Sequence, residues 1–308
     1  MHYFDKKRMP IVYKRVRKGK VSQVVTAAAV VYVTLFAVLC LLPFVMMVSA
    51  SFSEENVIMT RGIGILPRSF STTAYGMVLK DPKYIIGAYA VTLLITVSGT
   101  CLGLFIIAMT GYALYRPDFF IRNKVAFFFY FTTLFSAGLV PTYIWMVRYL
   151  GLRNNYLAVL LPLLMSPWLI ILMRNFMKSV PIEITESGKI DGAGDFSIFL
   201  HLVFPMMKPA LATIGLFLAM SYWNEWYNSM LYLPDLDYRM LQYYLYRIVN
   251  QAAALRQSLA GSVVSIAALP STTLKMATAV LVTGPIILLY PFVQRYFITG
   301  ITIGAVKG

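Results

Sequence analysis

The chain has 308 residues, 59% of them hydrophobic and only 13% Asp, Glu, Lys or Arg, with a mean hydropathy of +0.71. That charged share is about half the ~25% of ordinary soluble domains, and the apolar residues come in long unbroken runs, which excludes a fold solvated by water alone. The net charge of +15 is weighted towards one leader, where Lys6, Lys7, Arg8, Lys14, Arg15, Arg17, Lys18 and Lys20 precede the first apolar run. Placed there, the charge is a positive-inside topology signal rather than a nucleic-acid patch.

The first run, about residues 24–48, exceeds the roughly 7–15 residues of a signal-peptide core and suffices for the ~20 helical residues that cross a bilayer. Further spans are expected at about 85–114, 125–146, 157–173, 210–231 and 276–297. The expected fold is therefore an all-α membrane protein with six transmembrane helices. A basic leader over residues 1–20 precedes a membrane domain over 21–308. Arg116, Arg122 and Lys124 follow the second run, and Arg174, Lys178, Lys189 and Lys208 lie between the fourth and fifth. These join the leader on the cytoplasmic side and place both termini inside.

The first outer loop, about residues 51–83, is closer to balance, with Glu54, Glu55, Arg61, Arg68, Lys80, Asp81 and Lys83. The last outer loop, about 234–274, carries Tyr238, Tyr243, Tyr244 and Tyr246, and ordered loops of this length tend to be functional. Cys40 and Cys101 fall inside apolar runs and read as small buried hydrophobes, not as a disulfide or metal site. His2 and His201 are isolated, so no cluster for acid–base catalysis is visible.

The most informative stretch is the cytoplasmic loop at about residues 179–206. Ser179 and Pro181 suit a helix start, and Ile182, Thr185, Glu186, Lys189 and Ile190 recur at helical spacing. Asp191, Gly192, Ala193 and Gly194 then break the helix, since glycine tolerates turn geometry. Asp195 is placed to cap a second helix. In that helix Phe196, Phe199, Leu200 and Val203 form an apolar stripe, and Pro205 is expected to end it. Two short helices joined by a glycine elbow suit a rigid lever seated in a groove of another protein. A plain surface helix fits the same spacing.

The run Glu186-Ser187-Gly188-Lys189-Ile190-Asp191-Gly192-Ala193, followed by Pro205, resembles the EAA signature of ABC importer permeases. Ser187 and Gly188 stand where that family has two alanines, and Phe204 stands before Pro205 where leucine is usual. The ending resembles the carbohydrate-uptake branch, MalG-like, in Gln294-Arg295-Tyr296-Phe297, Gly300 and Gly304-Ala305-Val306-Lys307-Gly308. The resemblance implies the MetI-like fold of type I ABC importers in the bacterial inner membrane. It implies an oligosaccharide importer, with a peptide or amino-acid permease as the alternative that the ending disfavours. The loop would dock on a dimeric ABC ATPase through Glu183, Glu186, Ser187, Gly188, Asp191, Gly192, Ala193, Phe199 and Pro205. Gly304 and Lys307 of the tail would touch the same ATPase.

The implied partners are a MalF-like second permease, that ATPase, an extracellular solute-binding (lipo)protein and membrane lipid, with no nucleic acid. The tyrosine-rich outer loop is a contact for the binding protein on this reading, or a membrane-surface helix. The chain has no GxxxxGK[ST] phosphate loop. ATP and Mg are accordingly assigned to the partner ATPase, and this chain is expected to be non-catalytic, without cofactor or metal. A secondary transporter would show inverted repeats and ion-coupling residues at the midplane, and neither is visible in the sequence.

At the end of the fifth run, Tyr222, Glu225, Trp226 and Ser229 are expected to share one helical face, with Asn224 beside them. A carboxylate in a span is a functional candidate, and rings with hydrogen-bonding groups suit a sugar path. An interfacial aromatic belt gives the same residues.

Overall fold

The computed structural model describes residues 20–235, 237, 239–258 and 271–287. The basic leader before Lys20, Tyr238, Gly304, Lys307 and the rest of the C-terminal ending lie outside the described residues. Helix α1, Lys20–Ser51, is followed by two short helices, α2 at Glu55–Arg61 and α3 at Thr73–Val78. Among the described residues the only β pairing is an isolated bridge between Ser53 and Phe70.

The organising element is α4, Pro82–Tyr115, at 34 residues. It stops because Pro117 denies Arg116 a helical conformation; Arg116 has ψ 129°. Along α4 the buried residues Ile85, Ala88, Thr92, Ile95, Gly99, Gly103, Ile107 and Gly111 recur every three or four positions. Three glycines on this stripe admit neighbours at backbone range. A Cβ on Gly99 would lie 2.4 Å from the Tyr222 ring, one on Gly103 3.2 Å from the Leu164 carbonyl, and one on Gly111 2.6 Å from Met173 Cγ.

The remaining apolar runs are bent. Helix α5, Arg122–Leu134, and α6, Leu139–Ile144 with a π-helical continuation to Tyr149, meet at 112°. The break falls where Phe135 is extended and Gly138 takes φ 84°, and it divides the expected third span. Helices α7, Leu157–Leu164, and α8, Pro167–Met177, meet at 42°. Pro167 forces Ser166 out of the helical region, and the Ser166 hydroxyl accepts from Leu169 N at 3.5 Å. Helix α8 also continues past Arg174, where the span was expected to end.

After the short α9, Ile182–Ile190, helix α10, Asp195–Met206, turns by 87° into α11, Lys208–Trp223. Helices α12, Tyr227–Tyr232, and α13, Leu241–Ser258, lead to the apolar α14, Thr272–Ile287. Two helices, α1 and α4, are long and apolar enough to cross a membrane unaided, and the described residues hold up to five spans if each bent pair is one. The shorter α14 lies where the last run was expected.

One apolar core joins α4, α8, α10 and α11 through Ile107, Tyr112, Ile170, Met173, Phe199 and Ile214. A smaller second core joins Val78, Ile85, Trp223, Leu241 and Leu274. Most of α1 stays exposed on all sides; Val24, Leu35 and Leu39 are each 65–68% exposed. An apolar helix bare all round is one whose solvent is lipid or another chain.

Candidate coupling site

Helix α8 ends in a turn in which the Ser179 hydroxyl donates to Phe176 O at 2.7 Å. Ser179 therefore closes α8, and Pro181 alone occupies the start of α9, with ψ 137°. Helix α9 ends in a Schellman motif. Gly192 takes φ 78°, Ala193 N donates to Gly188 O at 2.9 Å, and Gly192 N donates to Lys189 O at 3.0 Å. This is the glycine elbow expected from the sequence. Gly192 is needed for its positive φ and not for space, since a Cβ there would meet nothing within 4 Å.

Gly188 is the opposite case. A Cβ on it would lie 2.9 Å from Ile198 Cγ1 and 3.1 Å from Leu202 Cδ1. Here the absence of a side chain lets the two arms of the elbow touch. Phe199, 1% exposed, anchors the second arm to α4: its ring centroid is 5.4 Å from that of Tyr112 and 6.1 Å from that of Phe105. Val203 is buried beside it and Leu200 half-buried. Glu183, Glu186, Ser187, Asp191 and Gly192 are all exposed, and Ala193 is half-buried. Phe199 and Gly188 thus face inward, while the acidic and small residues of the elbow face away from the chain.

Three expectations for the second arm are corrected. Asp195 makes no capping hydrogen bond; its carboxylate pairs with Arg116 instead. Phe196 is 57% exposed and leaves the buried stripe, lining with Phe199, Phe119, Met109 and Arg116 an open cavity of about 360 Å³. Pro205 does not end the arm. The helix runs through it to Met206, preceded by a π-helical stretch over Ile198–Val203. Proline lacks an N–H and its ring crowds the carbonyl four residues back, and the wider π turn absorbs both.

What ties the elbow to α4 has no local sequence signal, because the partners lie far apart in the chain. Tyr115 Oη donates to Val180 O at 2.9 Å. Arg116, its side chain 9% exposed, donates from Nε to Asp118 Oδ1 at 2.8 Å and also pairs with Asp195. Lys189 Nζ donates to Asp118 Oδ2 at 2.6 Å. Hydrogen bonds from Arg116 first, and then Lys189, hold the Asp118 carboxyl well below the usual carboxylate range. The Asp118 bond in turn raises Arg116 further above its ordinary value.

On the other side, the expected shared face at 222–229 is overturned, because the helix breaks between α11 and α12. Tyr222 is fully buried and donates to Leu160 O at 2.8 Å. Ser229 is also fully buried, its hydroxyl accepting from Met240 N at 3.4 Å. The Glu225 carboxylate accepts from Asn228 N at 2.7 Å and Asn228 Nδ2 at 3.1 Å, which caps α12. Asn224 and Trp226 remain exposed. Asn224 Oδ1 accepts from Gln242 Nε2 at 3.1 Å, and the Trp226 ring lies 5.2 Å from that of Tyr246. Asn224, Gln242, Tyr246, Thr278 and Thr283 line a cavity of about 410 Å³.

A second carboxylate has a role that its loop position does not signal. Glu55 of α2 is 6% exposed and accepts from Thr272 N at 2.9 Å, Thr273 N at 2.8 Å and Thr273 Oγ1 at 2.9 Å. It therefore caps α14 from an element more than two hundred residues away. Burial pushes its carboxyl up, but the bonds from Thr273 and Thr272 outweigh that, and the net shift is downward.

The site is thus a short helical elbow held at one end of a set of bent apolar helices and bare on its far side. Residues 103–303 match the family described as binding-protein-dependent transport system inner membrane component. The chain belongs to that family. It is 35% identical, over 90% of its length and 96% of the relative's, to the polygalacturonan/rhamnogalacturonan transport system permease protein YtcP of Bacillus subtilis. It is 26% identical to the trehalose/maltose transport system permease protein MalG of Thermococcus litoralis, over 89% of this chain and 94% of that one. A crystal structure of a bacterial ABC transporter importing the acidic polysaccharide alginate contains a chain with TM-score 0.71 and 30% identity, covering 91% of this chain and 98% of that one. Like other members, the chain is a non-catalytic inner-membrane permease subunit, and ATP is hydrolysed by a partner.

Proposed function

We propose that this chain is one half of the translocation path of an ATP-driven oligosaccharide importer, paired with a second permease and served by an outer solute-binding protein. The reading takes α1, α4, the three bent pairs and α14 as six spans with both termini cytoplasmic. The basic leader and the positions of Arg116, Arg122, Lys178 and Lys208 support that topology. The named cargoes of the relatives support a carbohydrate, and the polygalacturonan and alginate systems among them favour uronic-acid oligomers.

The observation that carries the reading is the elbow itself. Its inner face, Gly188 and Phe199, is packed on the chain, and its outer face, Glu183, Glu186, Ser187, Asp191 and Gly192, is left bare. A rigid amphipathic element with one face unoccupied is what a groove on an ATPase dimer would take. Ala193 closes the Schellman turn, Pro205 lies in the last turn of the second arm, and Gly304 and Lys307 of the tail are assigned a second ATPase contact. Along the path, Asn224 and Trp226 are the reachable members of the outer group. Tyr222, Glu225 and Ser229 act on them by holding the helix break in place.

The test is uptake of labelled oligogalacturonide into vesicles holding the complete transporter and its binding protein. Uptake should require ATP and survive ionophores that collapse ion gradients. Gly192→Val, which strains the positive-φ elbow, should reduce it about tenfold or more, a change of ~1.4 kcal/mol. Uptake abolished by ionophores while ATP is maintained, or a Gly192→Val transporter importing at the wild-type rate, would overturn the reading.

A further inference from the structure

We propose that Arg116 and Asp118 form an ionic clip that fastens both arms of the elbow to the cytoplasmic end of α4. They are positioning residues: neither belongs to the elbow, and both act through it. The inference rests on the elbow being the coupling element.

The need for such a fastener follows from burial. Within α9 only Thr185 and Gly188 are buried, so the first arm has little apolar surface with which to hold its place. The second arm is better seated, through Ile198, Phe199 and Val203. Held by the second arm alone, the first could pivot at the glycine turn, and a push on it would bend the loop instead of moving a span.

The polar contacts oppose that pivot at three points. Tyr115 holds the entry to the elbow at Val180. Asp118 holds the last turn of the first arm at Lys189, 2.6 Å away. Arg116 reaches Asp195 at the first turn of the second arm. Because Arg116 also donates to Asp118, the two arms are joined through one guanidinium. That guanidinium is nearly buried, and its carbon lies 5.7 Å from the Tyr112 ring centroid, within cation–π range. A planar fork with several fixed donors can hold two carboxylates at a set angle, which an ammonium cannot.

The four charges sum to zero, so the clip does not compete for an outside anion. Its outer half is wet, with Asp118 and Lys189 each 45% exposed. It should therefore weaken with salt, as exposed pairs do. With the clip closed, α9, α10 and the end of α4 move as one body. Displacement of the elbow by a partner is then delivered to α4, the helix on which α7, α8 and α11 pack.

The experiment is amide hydrogen exchange on the complete transporter in nanodiscs, comparing the peptide over residues 182–194 with one over 103–111 inside α4. Asp118→Ala should speed exchange in the elbow about fivefold, a local opening of ~1 kcal/mol, and leave the α4 peptide unchanged. Asp118→Glu should restore protection to within about twofold, since charge and reach are kept. Raising salt should loosen the wild-type elbow, and should loosen the Asp118→Ala elbow less, since only the Arg116–Asp195 pair is left there. Should Asp118→Ala fail to accumulate, Lys189→Met opens the wet half of the clip and carries the same expectation. An elbow equally protected in wild type and variant, or a glutamate variant as loose as alanine, would overturn the clip. Release of the ATPase from the same complexes tests the coupling reading separately. If Gly192→Val keeps the ATPase bound at the wild-type rate while Asp118→Ala loosens the elbow, the clip stands and the coupling reading fails.

Discussion

Gly99 and Glu55 show how single residues set this fold. The Tyr222 ring that faces Gly99 is fully buried, and its hydroxyl is fixed to Leu160 O, so it cannot swing aside for a methyl group 2.4 Å away. Gly99→Ala should destabilise the purified permease by about 1–3 kcal/mol through overpacking, read as a drop in unfolding temperature in detergent. Gly76→Ala in α3, where a Cβ meets nothing within 4 Å, should be neutral or slightly stabilising in the same assay. Glu55 makes a pH-dependent contribution. Its folded pKa lies below the ordinary 4.5, so the stabilisation is present above the unfolded value and is lost as pH falls through the folded one. Exchange at the Thr272 and Thr273 amides should quicken, beyond the intrinsic pH effect, in that acid window. Glu55→Gln should remove the pH dependence and cost about 1.5–3 kcal/mol, the worth of hydrogen bonds to a charged group.

The helices divide into what the sequence makes readable and what it does not. Apolar runs were legible because lipid demands long unbroken hydrophobicity. Their breaks were not, because the Ser166-Pro167 step and Gly138 are each compatible with a straight, a kinked or a bent helix until neighbours decide. The elbow was legible as two arms and a turn, since Asp191–Gly194 carries the turn chemistry in four consecutive residues. Its ties were not: Lys189 and Asp118 are 71 residues apart, and no local period links them. The helical face drawn through Tyr222, Glu225, Trp226 and Ser229 failed because it assumed one helix where Glu225 caps a new one. At this scale Gly188→Val should splay the arms, as its side chain enters the space of Ile198 Cγ1. The result should be faster proteolysis within residues 179–206 of the assembled transporter; cleavage at the wild-type rate would contradict close packing of the arms.

For the whole molecule, the distribution of bare surface carries the meaning. Apolar α1 is exposed over most of its length and the elbow is exposed on its acidic side, which leaves bare surface of two kinds, one apolar and one charged. In this family ATP is hydrolysed by a partner subunit, and on the proposed reading the elbow is where that partner docks. The most direct measurement is site-specific photo-crosslinking in intact cells, with a photoreactive residue at Glu186 on the elbow or at Trp226 beyond the helix break, and the captured protein identified by its peptides. The elbow position should capture the ATPase subunit and Trp226 should not. Capture of the ATPase from Trp226, or its absence at Glu183, Glu186 and Asp191 alike, would contradict the assignment of the elbow as the point where the chain is driven.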